Sequence, residues 1–240
     1  MNSKNIKLSK VPKHIAFIID GNGRWAKKLK KVRSYGHLKG MERLEKIIHR
    51  SFDYGIKVVS VFAFSTENWN RPEDEVQYLF KLFKDFAEQK GKSLNEQNVK
   101  VTVMGDYLQF PAQVSEAITN LVELTKNNTG NVLNIGFNYG GRNEILRAVN
   151  ELLQSGAKEV TQEMLEKHLY TSGLPDPDFI VRTSGEQRIS NFMLWQGAYS
   201  ELYFPKVCWP DFNNKQLEKA LLEFEKRDRR FGRIENKEKI

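Results

Sequence analysis

The stretch that decides the fold is HIAFIIDGNGRWAKK, residues 14–28. Its apolar first part, 14–19, ends at Asp20, and a Gly-Asn-Gly turn then leads into a basic segment with helical character. A buried strand that passes through a glycine turn into a helix is typical of a place where a phosphate is held. The pattern therefore predicts an anion-binding site that begins, unexpectedly, with a carboxylate.

Apolar, strand-like segments alternate with helical segments along the chain. We predict strands at 14–19, 56–64, 99–104, 131–137, 178–182 and 201–204, and helices at 38–54, 73–90, 112–126, 142–154, 161–170 and 214–230. Strands that are apolar throughout indicate a parallel sheet that is covered on both faces. We therefore expect one α/β domain over 1–240, with a central six-stranded, mostly parallel sheet surrounded by helices and flexible ends at 1–13 and 234–240.

The charge of the chain favours an anionic partner. Lys and Arg number 38 against 30 acidic residues, which gives a net charge of +8. A phosphorylated small molecule, a nucleic acid or an acidic membrane surface would suit this surplus. The aromatic-glycine signatures of common RNA-binding modules are missing, so we do not expect nucleic acid as a partner.

The cysteine count and the lengths of the apolar runs indicate the cellular compartment. Cys208 is the one cysteine, so a disulfide framework is excluded. The first 13 residues carry four lysines and no apolar segment, which is unlike a signal peptide. The longest apolar runs are far shorter than the roughly 20 residues that span a bilayer. We expect a cytoplasmic protein. Its surplus of basic residues could also allow peripheral contact with the inner face of the membrane.

Four polar, glycine-rich segments follow predicted strands. They are DGNGR at 20–24, STENWNRP at 65–72, NYGGRNE at 138–144 and RTSGEQRIS at 182–190. Ligands in open α/β sheets bind beyond the carboxyl ends of the strands. We therefore expect these segments to converge on one site.

The first of these segments admits two interpretations. Gly21 and Gly23 let the backbone approach a ligand closely, and Arg24 adds positive charge. Together with Ala26 they also satisfy the dinucleotide fingerprint G-x-G-x-x-A, so a nucleotide-dependent oxidoreductase is the alternative function. Asp20 would repel a bare phosphate, but Mg²⁺ takes carboxylate and diphosphate oxygens together. Asp20 is thus predicted to handle a metal, and a plain turn aspartate is the alternative.

The fourth segment predicts a second phosphate site. Arg182 and Arg188 are guanidinium forks that suit phosphate oxygens, and Ser190 adds a directional hydroxyl. Arg33 and His37, at the start of the second predicted helix, could contact a phosphate as well. Two phosphate sites and a metal together suggest a reaction between two phosphorylated substrates.

Two further features are a loop that could cover a ligand and a wide apolar stripe on a predicted helix. The loop from Ser65 to Arg71 could close over a ligand and exclude water, and it could also cap the helix that follows. The apolar stripe of 73–90 is wider than one packing face requires. It favours an apolar tunnel between the sheet and the helices 38–54 and 73–90, although ordinary core packing is the default explanation.

These motifs, in this order, resemble the cis-prenyltransferase family, which includes the bacterial undecaprenyl diphosphate synthases. The resemblance spans about residues 14–233 and also includes GHLKG, GFNYGGRNEI, SELYF, WPDF and RDRRFGR. It implies a homodimer that uses Mg²⁺ to condense isopentenyl diphosphate units in cis onto farnesyl diphosphate. The implied product is a long polyprenyl diphosphate, undecaprenyl diphosphate, which is the lipid carrier precursor for bacterial cell-wall synthesis.

The resemblance also implies roles for individual residues. Asp20 and Asn68 are the implied catalytic residues, and Asp20 and Glu201 are the implied metal ligands. The implied substrate-binding residues are Gly21, Asn22, Gly23, Arg24, Trp25, Arg33 and His37 around the allylic diphosphate, Ser65, Thr66, Glu67, Trp69 and Arg71 in the mobile loop, and Arg182, Arg188 and Ser190 around the isopentenyl diphosphate. Arg233 lies in a tail motif that is expected to reach the neighbouring subunit.

Overall fold

The computed structural model describes residues 6–228, and its elements follow the predicted alternation. The strands are β1 (His14–Ile18), β2 (Val58–Ser65), β3 (Lys100–Met104), β4 (Val132–Tyr139), β5 (Phe179–Arg182) and β6 (Glu201–Tyr203). The helices are α1 (Asn22–Lys28), α2 (Arg33–Asp53), α3 (Glu73–Glu96), α4 (Ala112–Thr125), α5 (Gly141–Gln154), α6 (Gln162–His168) and α7 (Asn214–Glu225).

The six strands form one sheet in the order β3-β4-β2-β1-β5-β6, and every pairing is parallel. The sheet is thus parallel throughout, where the sequence indicated a mostly parallel one. Ile18, the last residue of β1, lies opposite both Phe62 of β2 and Arg182 of β5. The carboxyl ends of β1 and β5 therefore coincide, and β2 continues past them to Ser65.

Two helices are longer than predicted. Helix α2 begins at Arg33 rather than at 38, so Arg33 and His37 lie in its first two turns. Helix α3 continues to Glu96 rather than 90, and Gly91 within it lies close to α4, where a Cβ atom would stand 3.3 Å from Leu121. Helix α7 is shorter than the predicted 214–230 because it ends at Glu225, and the tail with Arg233 lies outside the described residues. At the other end, Ser9 and Lys10 hydrogen-bond to the end of α7 and the residues after it.

Both faces of the sheet are covered by apolar packing, as the unbroken apolar strands predict. Ile15 and Phe17 of β1 belong to the larger cluster, which α2, α3, α4 and α7 cover. Ala16 and Ile18 point to the other face and pack with Phe192 and its neighbours. Side chains alternate between the faces of a strand, so β1 is buried on both sides.

A row of polar side chains crosses four strands on the second face. His14 donates from Nδ1 to the Pro175 carbonyl at 2.7 Å, and its Nε2 accepts from the Ser60 hydroxyl at 2.7 Å. Asn134 donates to Ser60 at 3.0 Å and accepts from Thr102 at 3.0 Å. Each of these buried groups is thereby paired, as burial requires. Burial lowers the pKa of His14 to about 4, although Pro175 and Asp178 favour its charged form.

Helix α1 is pressed against α2 at two glycines. A Cβ atom on Gly36 would overlap the carbonyl oxygen of Asn22, and one on Gly40 would overlap the Asn22 side-chain oxygen. Trp25 also stacks on Tyr35, with ring centroids 5.9 Å apart. Gly36 and Gly40 therefore allow the start of α1 to pack closely against α2.

The neutral state of His14 predicts a specific dependence of stability on pH. The unfolded chain binds a proton at His14 near pH 6.5, whereas the folded chain does so only near pH 4, so stability falls as the pH falls between these values. The full contribution is about 3 kcal/mol. Urea unfolding of His14→Gln should therefore show a smaller loss of unfolding free energy from pH 7 to 4.5 than the wild type shows. Equal losses would contradict a neutral, buried His14.

The close approach of α1 and α2 predicts that Gly36→Ala is destabilising. The gain in helix propensity is about 1 kcal/mol, and the clash with Asn22 should exceed it by about 1–3 kcal/mol. Gly91→Ala is the matched control because its nearest neighbour is a mobile leucine methyl group. Thermal unfolding should show a lowered Tm for the first variant only, and equal Tm values would argue against the tight contact.

Candidate functional site

A cavity of about 610 Å³ opens where β1, β2 and β5 end. Its lining contains both polar and apolar residues. The polar lining comprises Asp20, Gly21, Asn22, Gly23, Arg24, Arg33, His37, Ser65, Glu67, Asn68, Arg71, Arg182, Ser190 and Asn191. Thirteen of these fourteen residues are sites that the sequence predicted, and Asn191 is an addition. Three of the four predicted segments therefore contribute to this cavity. The fourth, 138–144, does not line it, and the Gly141 amide instead donates to the Asn191 carbonyl at 2.7 Å.

The glycine turn at the floor of the cavity requires glycine for two reasons. Gly21 has φ +102°, a left-handed conformation that side chains disfavour. A Cβ atom at this position would also stand 2.8 Å from that of Ser184. Gly21 is the N-cap of α1, so no side chain caps the first amides of this helix. These amides need partners from elsewhere.

Asp20 lies between two arginines. Its Oδ2 accepts a hydrogen bond from Arg182 at 3.0 Å and stands 3.1 Å from Arg24 Nη2. Its backbone carbonyl accepts from the Thr183 hydroxyl and from the Trp209 amide. Burial alone would raise the pKa of Asp20, but the hydrogen bond and charge of Arg182 and those of Arg24 outweigh it and lower the pKa. The residue is thus a fixed carboxylate.

Arg182 is buried at the end of β5 and organises the loop after it. Its Nη1 donates to the Arg188 carbonyl at 2.6 Å and to the Ser190 hydroxyl at 2.7 Å. The guanidinium of Arg188 does not line the cavity and pairs with Glu186 at 2.7 Å. Glu186 also binds Arg24 Nη1 at 2.6 Å. Glu186, which the sequence analysis missed, therefore joins the two predicted diphosphate sites at the rim.

A second missed carboxylate, Glu75, lies in the first turn of α3. It accepts hydrogen bonds from Arg33 at 2.8 Å, from His37 at 3.0 Å and from Arg71 at 3.1 Å. Burial would raise the pKa of Glu75, but its hydrogen bonds from Arg33 and His37 and the charge of Arg71 lower it. Burial lowers the pKa of His37. Three predicted phosphate contacts thus converge on one carboxylate. In the sequence, the spacing of four residues between Arg71 and Glu75 was the signal that could have predicted the role of Glu75.

The loop between β2 and α3 is a 3₁₀ turn over Thr66–Asn70. Asn68 accepts from the Ser65 amide at 3.1 Å, and Glu67 accepts from Asn191 at 3.0 Å. Trp69 donates to Asn138 at 2.8 Å, and its ring packs on Phe64 and Phe80. Trp69 and Thr66 are therefore not part of the cavity lining, whereas Ser65, Glu67, Asn68 and Arg71 are.

Two other predicted residues lie away from the cavity. Trp25 stacks on Tyr35. Glu201 lies opposite Phe179, at the level of Ile15, and forms an ion pair with Arg227 at 2.8 Å. Glu201 is not among the residues that line the cavity.

The pairing of Glu201 with Asp20 around one ion stays a prediction. Among residues 6–228, no three His, Cys, Asp or Glu side chains form a group that could hold a metal. Mg²⁺, however, commonly takes one or two protein carboxylates and completes its shell with substrate phosphates and water. The ionised carboxylate of Asp20 in the cavity fits this mode of binding.

The apolar wall of the cavity faces the predicted tunnel. It is formed by Ile18, Ile19, Met41, Phe62, Ala63, Leu79 and Phe83. Met41 belongs to α2, and Leu79 and Phe83 to α3, so the wall lies between the two helices that the sequence indicated. Phe80 instead packs on Phe64, and its ring belongs to the core. A tunnel along the whole stripe therefore stays a prediction.

Across the part of the chain that the structure describes, no helix combines the length and the apolar character needed to cross a bilayer.

Comparisons with known proteins identify the family of the chain. Residues 18–232 match the prenyltransferase family model described as "Putative undecaprenyl diphosphate synthase". An isoprenyl transferase of Fusobacterium nucleatum is 48% identical over 94% of this chain and 98% of its own length. One from Clostridium perfringens is 46% identical over 94% of this chain and 91% of its own length.

Solved structures are similar as well. Lavandulyl diphosphate synthase from Lavandula x intermedia, in complex with dimethylallyl diphosphate, superposes with a TM-score of 0.89, at 33% identity over 93% of this chain and 99% of that one. A probable undecaprenyl diphosphate synthase from Campylobacter jejuni gives a TM-score of 0.78, at 31% identity over 94% and 100%. The chain therefore belongs to the undecaprenyl diphosphate synthase family of cis-prenyltransferases.

Proposed function

We propose that the protein condenses isopentenyl diphosphate units in cis onto farnesyl diphosphate and so builds undecaprenyl diphosphate, the lipid carrier precursor for bacterial cell-wall synthesis. The observation that carries this proposal is the mixed lining of the cavity. It contains the ionised Asp20 with Arg24, Arg33, Arg71 and Arg182, and it also contains seven apolar residues from β1, β2, α2, α3 and the residue after β1. Such a cavity suits a ligand with a diphosphate head and a hydrocarbon tail.

The chemistry requires the leaving diphosphate to be stabilised. The bond between the allylic carbon and the diphosphate oxygen breaks, the isopentenyl double bond forms the new carbon–carbon bond, and one proton is lost. Preorganised donors lower the barrier when they face the charge that develops on the leaving group. Arg24, the first amides of α1 and Arg33 surround the place we assign to that diphosphate. A bound Mg²⁺ would supply further neutralisation of its charge, with Asp20 as the protein ligand.

The second substrate is assigned to the end of β5. Arg182 holds Ser190 and the Arg188 backbone in place, and it fixes the loop on which both diphosphate contacts lie. A guanidinium has five N–H donors, so Arg188 and Arg24 can bind phosphate oxygens while they remain near Glu186. Isopentenyl diphosphate placed there would present its double bond towards the apolar wall.

The nucleotide-dependent oxidoreductase is not favoured. Its fingerprint requires an acidic residue after the second strand, where it would bind a ribose. Glu67, two residues after β2, accepts a hydrogen bond from Asn191, and the nearby Glu75 binds three basic side chains. The family match points the same way.

We further propose a homodimer in the cytoplasm. The edge strand β6 is only three residues long, and Tyr199 just before it is 73% exposed. Leu202 on this strand is exposed as well. An uncovered sheet edge with apolar side chains is typical of a surface that another chain covers.

Asp20→Asn should nearly abolish transfer because the neutral amide cannot bind a cation as a carboxylate does. We expect at least a 100-fold loss of turnover, of the order found when one electrostatic contact at a reacting group is removed. The assay uses farnesyl diphosphate, labelled isopentenyl diphosphate and Mg²⁺, and sizes the lipid product.

Asp53→Asn, an exposed acid at the end of α2, is the matched control and should keep full activity. Circular dichroism should show an intact fold in both variants. Near-normal turnover of Asp20→Asn would refute the role of Asp20, and chelation of Mg²⁺ should stop the wild type.

Glu75→Gln should lower kcat/KM for farnesyl diphosphate by about 10–100-fold, because misplaced binding groups carry costs of this order. Arg33, His37 and Arg71 lose their shared counter-charge in this variant, so we expect KM to rise more than kcat falls. Steady-state kinetics will separate the two. The matched control is Glu73→Gln in the same helical turn. Wild-type kinetics in Glu75→Gln would show that the carboxylate does not position these side chains.

A further inference from the structure

The turn between α1 and α2 exposes two apolar side chains within a basic segment. The segment is Lys27–Val32, with the sequence KKLKKV. Leu29 is 50% exposed and Val32 is 71% exposed, which makes Val32 one of the most exposed large apolar residues among those described. Single exposed apolar side chains are common on protein surfaces, but these two are combined with four lysines in one short segment.

The turn is held in one conformation by its backbone. The Leu29 amide donates to the Ala26 carbonyl at 3.0 Å, and the Lys31 amide donates to the same oxygen at 2.9 Å. Lys30 has φ +56°, in the left-handed region. Its amide bonds to the Lys27 carbonyl at 3.0 Å. The outward position of Leu29 is thus built into a hydrogen-bonded turn.

The four lysines of the segment are free to bind anions. Over residues 6–228, the ion pairs that the structure contains include none from Lys27, Lys28, Lys30 or Lys31. Each lysine near an anionic leaflet contributes about 1 kcal/mol of attraction. Apolar side chains beside them add binding by entering the interface between headgroups and acyl chains.

The segment adjoins the mouth of the cavity. Arg24, in the first turn of α1, and Arg33, directly after the segment, both line the cavity. A surface that binds Leu29 and Val32 therefore also lies near the cavity opening. A cavity of about 610 Å³ is of the size that encloses drug-sized ligands. A polyprenyl product that grows by repeated addition would outgrow it and need an apolar destination.

We propose that Lys27–Val32 docks on an anionic lipid surface, with Leu29 and Val32 between the headgroups and the lysines on lipid phosphates. This proposal rests on the proposed function in one respect, because the lipid surface would receive the polyprenyl product. Binding of the segment to lipid does not itself require that function. Nucleic acid would use the lysines but has no use for two exposed aliphatic side chains. The apolar pair therefore favours the membrane.

The test is co-sedimentation with vesicles. Wild-type protein should bind vesicles of equal parts phosphatidylglycerol and phosphatidylcholine, and it should bind pure phosphatidylcholine at least about 10-fold more weakly. Leu29→Ser combined with Val32→Ser should weaken binding to the mixed vesicles, as should Lys→Gln at Lys27, Lys28, Lys30 and Lys31, each by at least about 10-fold. The matched control is Leu146→Ser with Leu153→Ser, two exposed leucines of α5.

Each outcome bears on the proposal. Failure of the wild type to bind mixed vesicles, or unchanged binding in the serine variant, would overturn it. Loss in the glutamine variant alone would indicate general anion binding, including nucleic acid, and would overturn it too. The serine variant should keep full transfer activity with detergent-dispersed substrates. Vesicle binding without any transfer activity would refute the proposed function and leave the lipid contact standing.

Discussion

The hydrogen bond between the Asp20 carboxylate and the Arg182 guanidinium is the contact on which the site depends. It joins the ends of β1 and β5, two neighbouring parallel strands whose register places Ile18 opposite Arg182. Arg182 is buried and Asp20 is partly buried, and Arg24 is a second partner of the Asp20 carboxylate. The pair therefore fixes the floor of the cavity before any substrate arrives.

Charges of alternating sign extend from this pair to the rim. Arg24 links Asp20 to Glu186, and Glu186 holds Arg188. On the opposite side, Glu75 gathers three basic side chains from α2 and the loop before α3. Like charges brought this close would otherwise repel each other. The carboxylates allow many cationic groups to face one cavity without a ligand, which is the preorganisation that electrostatic catalysis requires.

Much of this arrangement could be predicted from the sequence, because it follows from local pattern and from the geometry of parallel sheets. Unbroken apolar strands and the segments after them indicated both the sheet and the edge at which the site lies. The roles of Glu75 and Glu186 could not be predicted, since each depends on arginines from distant segments. The resemblance named Glu201 as a partner of Asp20 at the metal, whereas the structure pairs the Glu201 side chain with Arg227. That role of Glu201 stays a prediction.

The central claim is that one cavity binds the diphosphate head on its charged floor and the hydrocarbon tail along its apolar wall. The most direct test is a crystal structure with an unreactive thio analogue of farnesyl diphosphate and Mg²⁺. We predict that its phosphates contact Arg24 and the turn at Gly21–Gly23, with the tail against Phe62, Leu79 and Phe83. A diphosphate bound instead in the basic groove between α2 and α7, beside Arg43 and Lys215, would contradict the account.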